Sequence, residues 1–200
     1  MGEIRRFQDI LQGDFVDSYD NLTLKTLLIL KTMSEIAPCR RAHYLLKCDI
    51  DVFVNVPRLV AELQKYKSQL RNILGYTLPP GLVYRNGKYA ITVDEYPLKR
   101  YPRYSAGPAY VISNDLSYEL FKTSEYVPFF RIKDVYVTGI LPALKGGVVH
   151  VALLGVITRS AKPLTGCDVI TNRLTTRSEV HSVAKLRIWK AMQGNRNSSV

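Results

Sequence analysis

The stretch Tyr44-Leu45-Leu46-Lys47-Cys48-Asp49-Ile50-Asp51-Val52-Phe53-Val54-Asn55 constrains this chain more than any other. An apolar run feeds directly into two carboxylates one residue apart, the pattern of a buried strand that delivers charge at its carboxyl end. Strand side chains alternate faces, so Asp49 and Asp51 are expected on one side and Ile50 on the other, toward the core. Paired carboxylate oxygens suit Mg²⁺ or Mn²⁺, ions that keep waters and share their remaining positions with substrate phosphates. A sugar nucleotide would supply such phosphates. The two acids would also serve as caps of the turn after a strand, and the spacing alone leaves both readings open.

Around this stretch the chain alternates strand and helix. Apolar residues from Asn21 to about Ala37 recur at helical spacing, with Asp20 as the expected N-cap and Pro38 as the stop. A strand from about His43 to Asp49 follows, and Pro57 opens a second amphipathic helix. This order predicts an α/β fold with a mostly parallel sheet, and it puts Asp49 and Asp51 at the carboxyl edge, where open α/β sheets bind ligands. Residues 7 to 16 read as a further strand. A hairpin is expected from Leu82 to Val93 around Asn86-Gly87. Residues 95 to 108, rich in Pro, Tyr and Gly, are expected to form a loop without regular structure. A short strand at Tyr110-Val111-Ile112, a helix capped by Ser113 or Asn114, helical structure after Asp134, a strand within 146 to 155 and a helix near Val180 to Met192 complete the reading.

Two hundred residues suffice for one domain with a substantial core, and 46% hydrophobic against 22% charged residues is ordinary globular composition. The formal net charge of +11 favours anionic ligands in general. The basic residues form no run interleaved with aromatics and no nucleic-acid module, so a nucleic-acid partner is not expected. Three cysteines cannot complete a disulfide framework, and Cys48 reads as a small buried hydrophobe on its strand. No apolar stretch is long enough to span a membrane.

Four motifs carry a resemblance across roughly residues 3 to 145. They are Asp14-Phe15-Val16-Asp17-Ser18-Tyr19-Asp20-Asn21-Leu22-Thr23-Leu24-Lys25-Thr26, the stretch at Tyr44, Tyr101-Pro102-Arg103-Tyr104-Ser105-Ala106-Gly107, and Lys133-Asp134-Val135-Tyr136-Val137-Thr138-Gly139. In this order they resemble the β-1,3-galactosyltransferase family, which includes β-1,3-N-acetylglucosaminyltransferases and other hexosyltransferases.

The resemblance implies a GT-A-like, Rossmann-like fold, with a mixed, mostly parallel sheet flanked by helices and without the family's first nucleotide-binding strand-helix unit. It implies a partial catalytic domain over 1–157 and a basic, partly disordered C-terminal extension over 158–200. The implied reaction transfers a hexose or N-acetylhexosamine from a UDP-sugar to a glycan acceptor in β-1,3 linkage with inversion, with Mn²⁺ as cofactor. Asp51 matches the metal-binding position and Asp49 the acid beside metal and nucleotide, while Ile50 stands where a third acid is frequent. Asp134 matches the catalytic base. Tyr101, Tyr104, Ser105 and Gly107 are candidate substrate contacts, the tyrosines as stacking faces or as aromatics that pin the loop. The family is luminal in the Golgi and membrane-anchored upstream of its catalytic domain, a setting that would allow a Cys39–Cys48 pair.

The sequence also departs from the family pattern. Lys133 replaces a Glu beside the base, Tyr89 replaces a Trp beside Lys88, and Gly107-Pro108-Ala109 stands in place of a glycine run. A cation next to Asp134 would lower its proton affinity. The alternative reading is therefore a catalytically inactive fragment or a sugar-nucleotide- or glycan-binding remnant of that family.

Overall fold

A computed structural model of the chain describes residue 6 and residues 9–50, 52–153, 156–157 and 175–177, with side chains given up to residue 153. Asp51, the expected helix near Val180 to Met192 and most of the C-terminal extension lie outside the described residues.

Helix α1 (Leu22–Glu35) is followed by a short turn of helix α2 (Ala37–Arg40), strand β1 (Tyr44–Cys48), β2 (Val52–Val54), helix α3 (Val56–Leu63) and β3 (Asn72–Leu78). Strand β4 (Tyr104–Ser113) leads into α4 (Asp115–Ser124). A helical segment then comprises α5 (Lys133–Val135), a π-helical turn (Tyr136–Ile140) and α6 (Leu141–Lys145), after which come β5 (Val149–Ala152), β6 (Val156–Ile157) and β7 (Thr175–Arg177).

The fold is α/β, and its principal sheet is mixed, in the order β1-β4-β3-β5. Parallel pairing is limited there to β3 with β5, because β1 and β3 both pair antiparallel to β4. The crossover through α3 does leave β1 and β3 running the same way, as a strand-helix-strand unit requires. Later in the chain, β4 inserts between them and turns both pairings antiparallel. A smaller sheet, β2-β7-β6, draws Thr175–Arg177 of the C-terminal extension against β2.

Both faces of the principal sheet are covered. Leu45, Ile73, Tyr110 and Ile112 meet Leu30 of α1, Leu116 and Leu120 of α4, and Tyr136, Val137 and Leu141 of the segment after Ile132. Leu74 and Val111, on the opposite face, meet Leu59 and Leu63 of α3 and Leu153. The alternation along β4 feeds two cores at once, which fixes its register, since a slip of one residue would exchange the faces.

Several sequence expectations change. Residues 9–17 form no strand, and Ile10 and Leu11 are exposed, because alternation without a neighbouring strand leaves the backbone unpaired. Helix α1 is capped at Asn21 rather than Asp20, and its most buried positions are Thr23, Thr26 and Leu30. Thr23 earns its place by donating to the Phe130 carbonyl at 2.9 Å.

The hairpin expected at Asn86-Gly87 is a turn with φ +83° at Gly87, but no strands flank it. In place of a ladder, the Arg85 guanidinium donates to the carbonyls of Ile91, Thr92, Tyr96 and Leu98 at 2.8–3.0 Å. The loop expected over 95 to 108 is strand from Tyr104 onward. Cys48, at the exposed end of edge strand β1, is not buried, and Cys39 and Cys48 are free thiols.

Candidate active site

The stretch that dominates the sequence ends one sheet and starts another. Strand β1 stops at Cys48, the Val52 amide donates to the Asp49 carbonyl at 3.1 Å, and the chain turns into β2. Ile50 sits on that turn, 99% exposed, and not in the core. The alternation that predicted it fails because the strand has already ended. Asp49 does lie just past the carboxyl end of β1, held there by its amide on the Pro108 carbonyl at 2.9 Å.

Strand β4 contributes a wide bulge at the same level. Gly75 pairs with Tyr110 and Thr77 with Ser105, so Tyr76 alone stands opposite Ala106, Gly107, Pro108 and Ala109. Pro108 cannot donate to a ladder, and the bulge removes that requirement while bending the strand. Its product is a backbone wall formed by Ala106, Gly107 and Pro108 beside Asp49.

These walls enclose a cleft of about 560 Å³. Asp49, Tyr101, Tyr104, Gly107 and Asp134, all picked out from sequence, line it together. Ser105 does not. It is fully buried behind the wall, where its amide donates to Thr138 Oγ1 at 2.9 Å. Tyr101 is 4% exposed and packed among Tyr96, Tyr104 and Phe130, so it pins the wall instead of offering a stacking face. Burial pushes its hydroxyl up to about 12. Free aromatic surface is supplied at the mouth by Tyr19, Tyr84 and Tyr89, with Lys88 Nζ 5.4 Å from the Tyr19 ring centroid and 5.6 Å from that of Tyr89.

Asp134 enters on α5, inside the first turn and not as its cap, which is Ile132. The carboxylate lies over Gly107: a Cβ on that glycine would come 1.8 Å from Oδ2. Its Oδ1 is buried and accepts no hydrogen bond, facing Lys133 Nζ at 3.5 Å. Burial raises the Asp134 carboxyl above its ordinary value, and the ammonium groups of Lys133 and Lys47 oppose this without cancelling it. The cation expected to depress this group is therefore present and is outweighed by desolvation.

Two lysines stand beside Asp49, Lys133 lining the cleft and Lys47 behind it. Leu45, Lys47 and Asp49 alternate onto one face of the chain, and Lys47 Nζ bonds Asp49 Oδ1 and, at 2.7 Å, the Gly107 carbonyl. Burial, with Lys133 nearby, brings the Lys47 ammonium down to about 8. Lys133 Nζ lies 3.3 Å from the same Asp49 oxygen. Burial alone would lower Lys133 too, but the carboxylates of Asp134 and Asp49 hold it above its ordinary value. The strand periodicity that singled out Asp49 and Asp51 also places Lys47 on their expected face, so this residue was legible in the sequence. Arg131 and Lys88 had no comparable signal.

Thr138, in the π-helical turn, ties the base of the site together. Such turns widen the helix and free carbonyls for outside partners. Here the Thr138 carbonyl is 2.5 Å from His150 Nε2, which accounts for His150 as a structural residue. Thr138 Oγ1 reaches the Asp134 carbonyl at 2.6 Å and the Ser105 carbonyl at 3.1 Å, while accepting from the Ser105 amide. Thr138→Val is expected to cost about 1–3 kcal/mol, because it leaves a buried amide without an acceptor. Urea unfolding of the two proteins measures the difference.

A fit to Mn²⁺ can be tested on the donor set. Among the described residues no group of three His, Cys, Asp or Glu side chains converges. Asp49 Oδ1 already meets two ammonium groups, one of which also faces Asp134. An ion on that carboxylate would displace at least one of them, so Asp49 alone, among the described residues, is not free to hold a metal; Asp51 lies outside them.

A sequence profile described as Galactosyltransferase matches residues 1–153. The chain belongs to the galactosyltransferase family. Among its relatives, mouse beta-1,3-galactosyltransferase 5 is 37% identical over 145 residues, 72% of this chain and 46% of the relative. Human beta-1,3-galactosyltransferase 1 is 32% identical over 204 aligned positions, 98% of this chain and 59% of the relative. Pig UDP-GalNAc:beta-1,3-N-acetylgalactosaminyltransferase 1 is 36% identical over 141 residues, 70% of this chain and 42% of the relative. The chain thus spans about half the length of the curated relatives it matches. The family assignment agrees with the α/β fold. Among the described residues no helix is long and apolar enough to cross a membrane.

Proposed function

We propose that the chain transfers a hexose or N-acetylhexosamine from a UDP-sugar to a glycan hydroxyl in β-1,3 linkage, with inversion, in protein glycosylation within the Golgi lumen. The observation that carries this reading is Asp134: a carboxylate with a raised proton affinity, over a glycine, inside a cleft lined by cations and aromatic rings.

Inversion by single displacement needs a base on the acceptor and positive charge on the leaving group. Asp134 takes the acceptor's hydroxyl proton as that oxygen bonds the anomeric carbon. The bond from that carbon to the diphosphate breaks on the opposite face, and its electron pair leaves with UDP. Lys133, Lys88 and Arg131 line the cleft where the departing charge develops. Tyr104, half-buried, and the exposed rings of Tyr84 and Tyr89 supply apolar faces for sugar and base.

The test is incubation with UDP-galactose, UDP-N-acetylgalactosamine and UDP-N-acetylglucosamine, each with galactose- and N-acetylglucosamine-terminated acceptors, followed by NMR of the product. A β-1,3-linked disaccharide from one donor is expected. Absence of any glycoside from every pair, in a folded sample, would support the inactive remnant instead.

A further inference from the structure

We infer that the Lys133 ammonium supplies the cationic charge at the donor site, so that the chain holds a nucleoside diphosphate without a divalent cation. This rests on the transferase reading above. Lys133 is carried on α5, yet its Nζ bridges carboxylates from two elements, Asp49 after β1 at 3.3 Å and Asp134 at 3.5 Å. A cation shared by two carboxylates beside a cleft is the arrangement a bridging metal ion would make, and here an ammonium makes it.

The two buried lysines are not equivalent. Lys47 is fixed by Asp49 and by the Gly107 carbonyl at 2.7 Å, the length of a strong charge-assisted bond. Among the described residues, the two carboxylate contacts of Lys133 are longer than such bonds, although its side chain is only 8% exposed. A buried ammonium held this loosely has donor capacity left for an anion. The cleft onto which it opens is lined by Lys88, Arg131 and Lys133 against Asp49 and Asp134, a cationic excess suited to phosphate oxygens. Tyr84 and Tyr89 at the mouth give a base somewhere to stack.

The experiment is a calorimetric titration of UDP into the 200-residue chain, in EDTA and again in Mn²⁺, repeated for Lys133→Met and Lys133→Glu. In EDTA the chain is expected to bind UDP with an affinity within about threefold of that in Mn²⁺. Lys133→Met is expected to weaken binding in EDTA roughly tenfold or more, the usual effect of removing a close charge partner. Lys133→Glu places a third carboxylate beside Asp49 and Asp134 and is expected to make binding depend on Mn²⁺. UDP binding by the parent chain only with Mn²⁺ would overturn this inference and leave the transferase reading intact, a result that needs no variant to fold. Unchanged binding by Lys133→Met in EDTA would remove Lys133 from the role. No binding in either buffer, with native circular dichroism, would sink both readings.

Discussion

Replacing Asp134 with Asn is expected to lower transfer by roughly 10²–10⁴-fold, the usual contribution of a positioned general base, and at the same time to raise the unfolding midpoint. Both effects come from one property. The carboxyl is largely withdrawn from water, its Oδ1 is buried without a hydrogen bond, and its proton affinity is raised in the folded state. An amide keeps the shape and cannot take the proton.

The stability sign follows from linkage. A carboxyl whose folded pKa lies above its unfolded value binds more protons when folded, so its contribution is fully favourable below the unfolded pKa. That contribution is lost as pH rises through the folded value. At neutral pH the ionised Asp134 therefore opposes folding, and the amide removes that opposition. The pH profile should agree: because the base must be ionised to act, the acid limb of the rate is displaced upward from the ordinary Asp range. Thermal melts at pH 7 and at pH 4, with rates across the same range, check the pair. A lowered midpoint for Asp134→Asn at pH 7 would mean that its contact with Lys133 outweighs its burial.

The sequence disclosed the part of this site that depends on short-range periodicity. Asp49 follows its strand, Asp134 opens its helical segment, and Tyr104 and Gly107 line the cleft, because each belongs to a motif whose local geometry is set by a few neighbours. What escaped the reading depends on residues far apart in the chain. The bulge in β4 lies where β3 and β1 flank that strand unequally, and Gly107-Pro108 alone does not fix its width. Lys133 reads as a disturbance of the base when only Asp134 is considered. It becomes a shared partner of two carboxylates once β1 is brought alongside α5, across 84 residues of sequence. Ile50 failed for the reverse reason: alternation was extended two residues beyond the point where the strand ended. The antiparallel pairings arise in the same way, since the direction of β1 and β3 is fixed locally but the strand between them arrives later.

Gly107→Ala is expected to be as damaging to transfer as loss of the base, although glycine at 107 contributes no side chain to the chemistry. Gly107 has no positive φ among the described glycines, so its requirement is for space and not for backbone freedom. The added methyl would fall 1.8 Å from Asp134 Oδ2 and 2.2 Å from its Cγ, inside any permitted contact. Asp134 is short, and its own carbonyl is bound to Thr138 Oγ1 at 2.6 Å, so its carboxylate can retreat only by leaving the wall. Overpacking of this kind costs roughly 1–3 kcal/mol in addition to displacing the group. Gly81→Ala is the control, since its new methyl would meet only the Pro79 carbonyl at 3.8 Å; there the change should stay within about 0.5 kcal/mol.

A double-mutant cycle separates the clash from any general weakness of the bulge. In an Asp134→Ala background the obstructing carboxylate is gone, and Gly107→Ala should then be nearly neutral, giving a coupling of about 1–3 kcal/mol between the two positions. Equal costs in both backgrounds, measured by urea unfolding, would show that Gly107 serves the bend of β4 and not the seat of Asp134. The cycle thus decides whether the space that only glycine leaves is the feature that sets the position of the base.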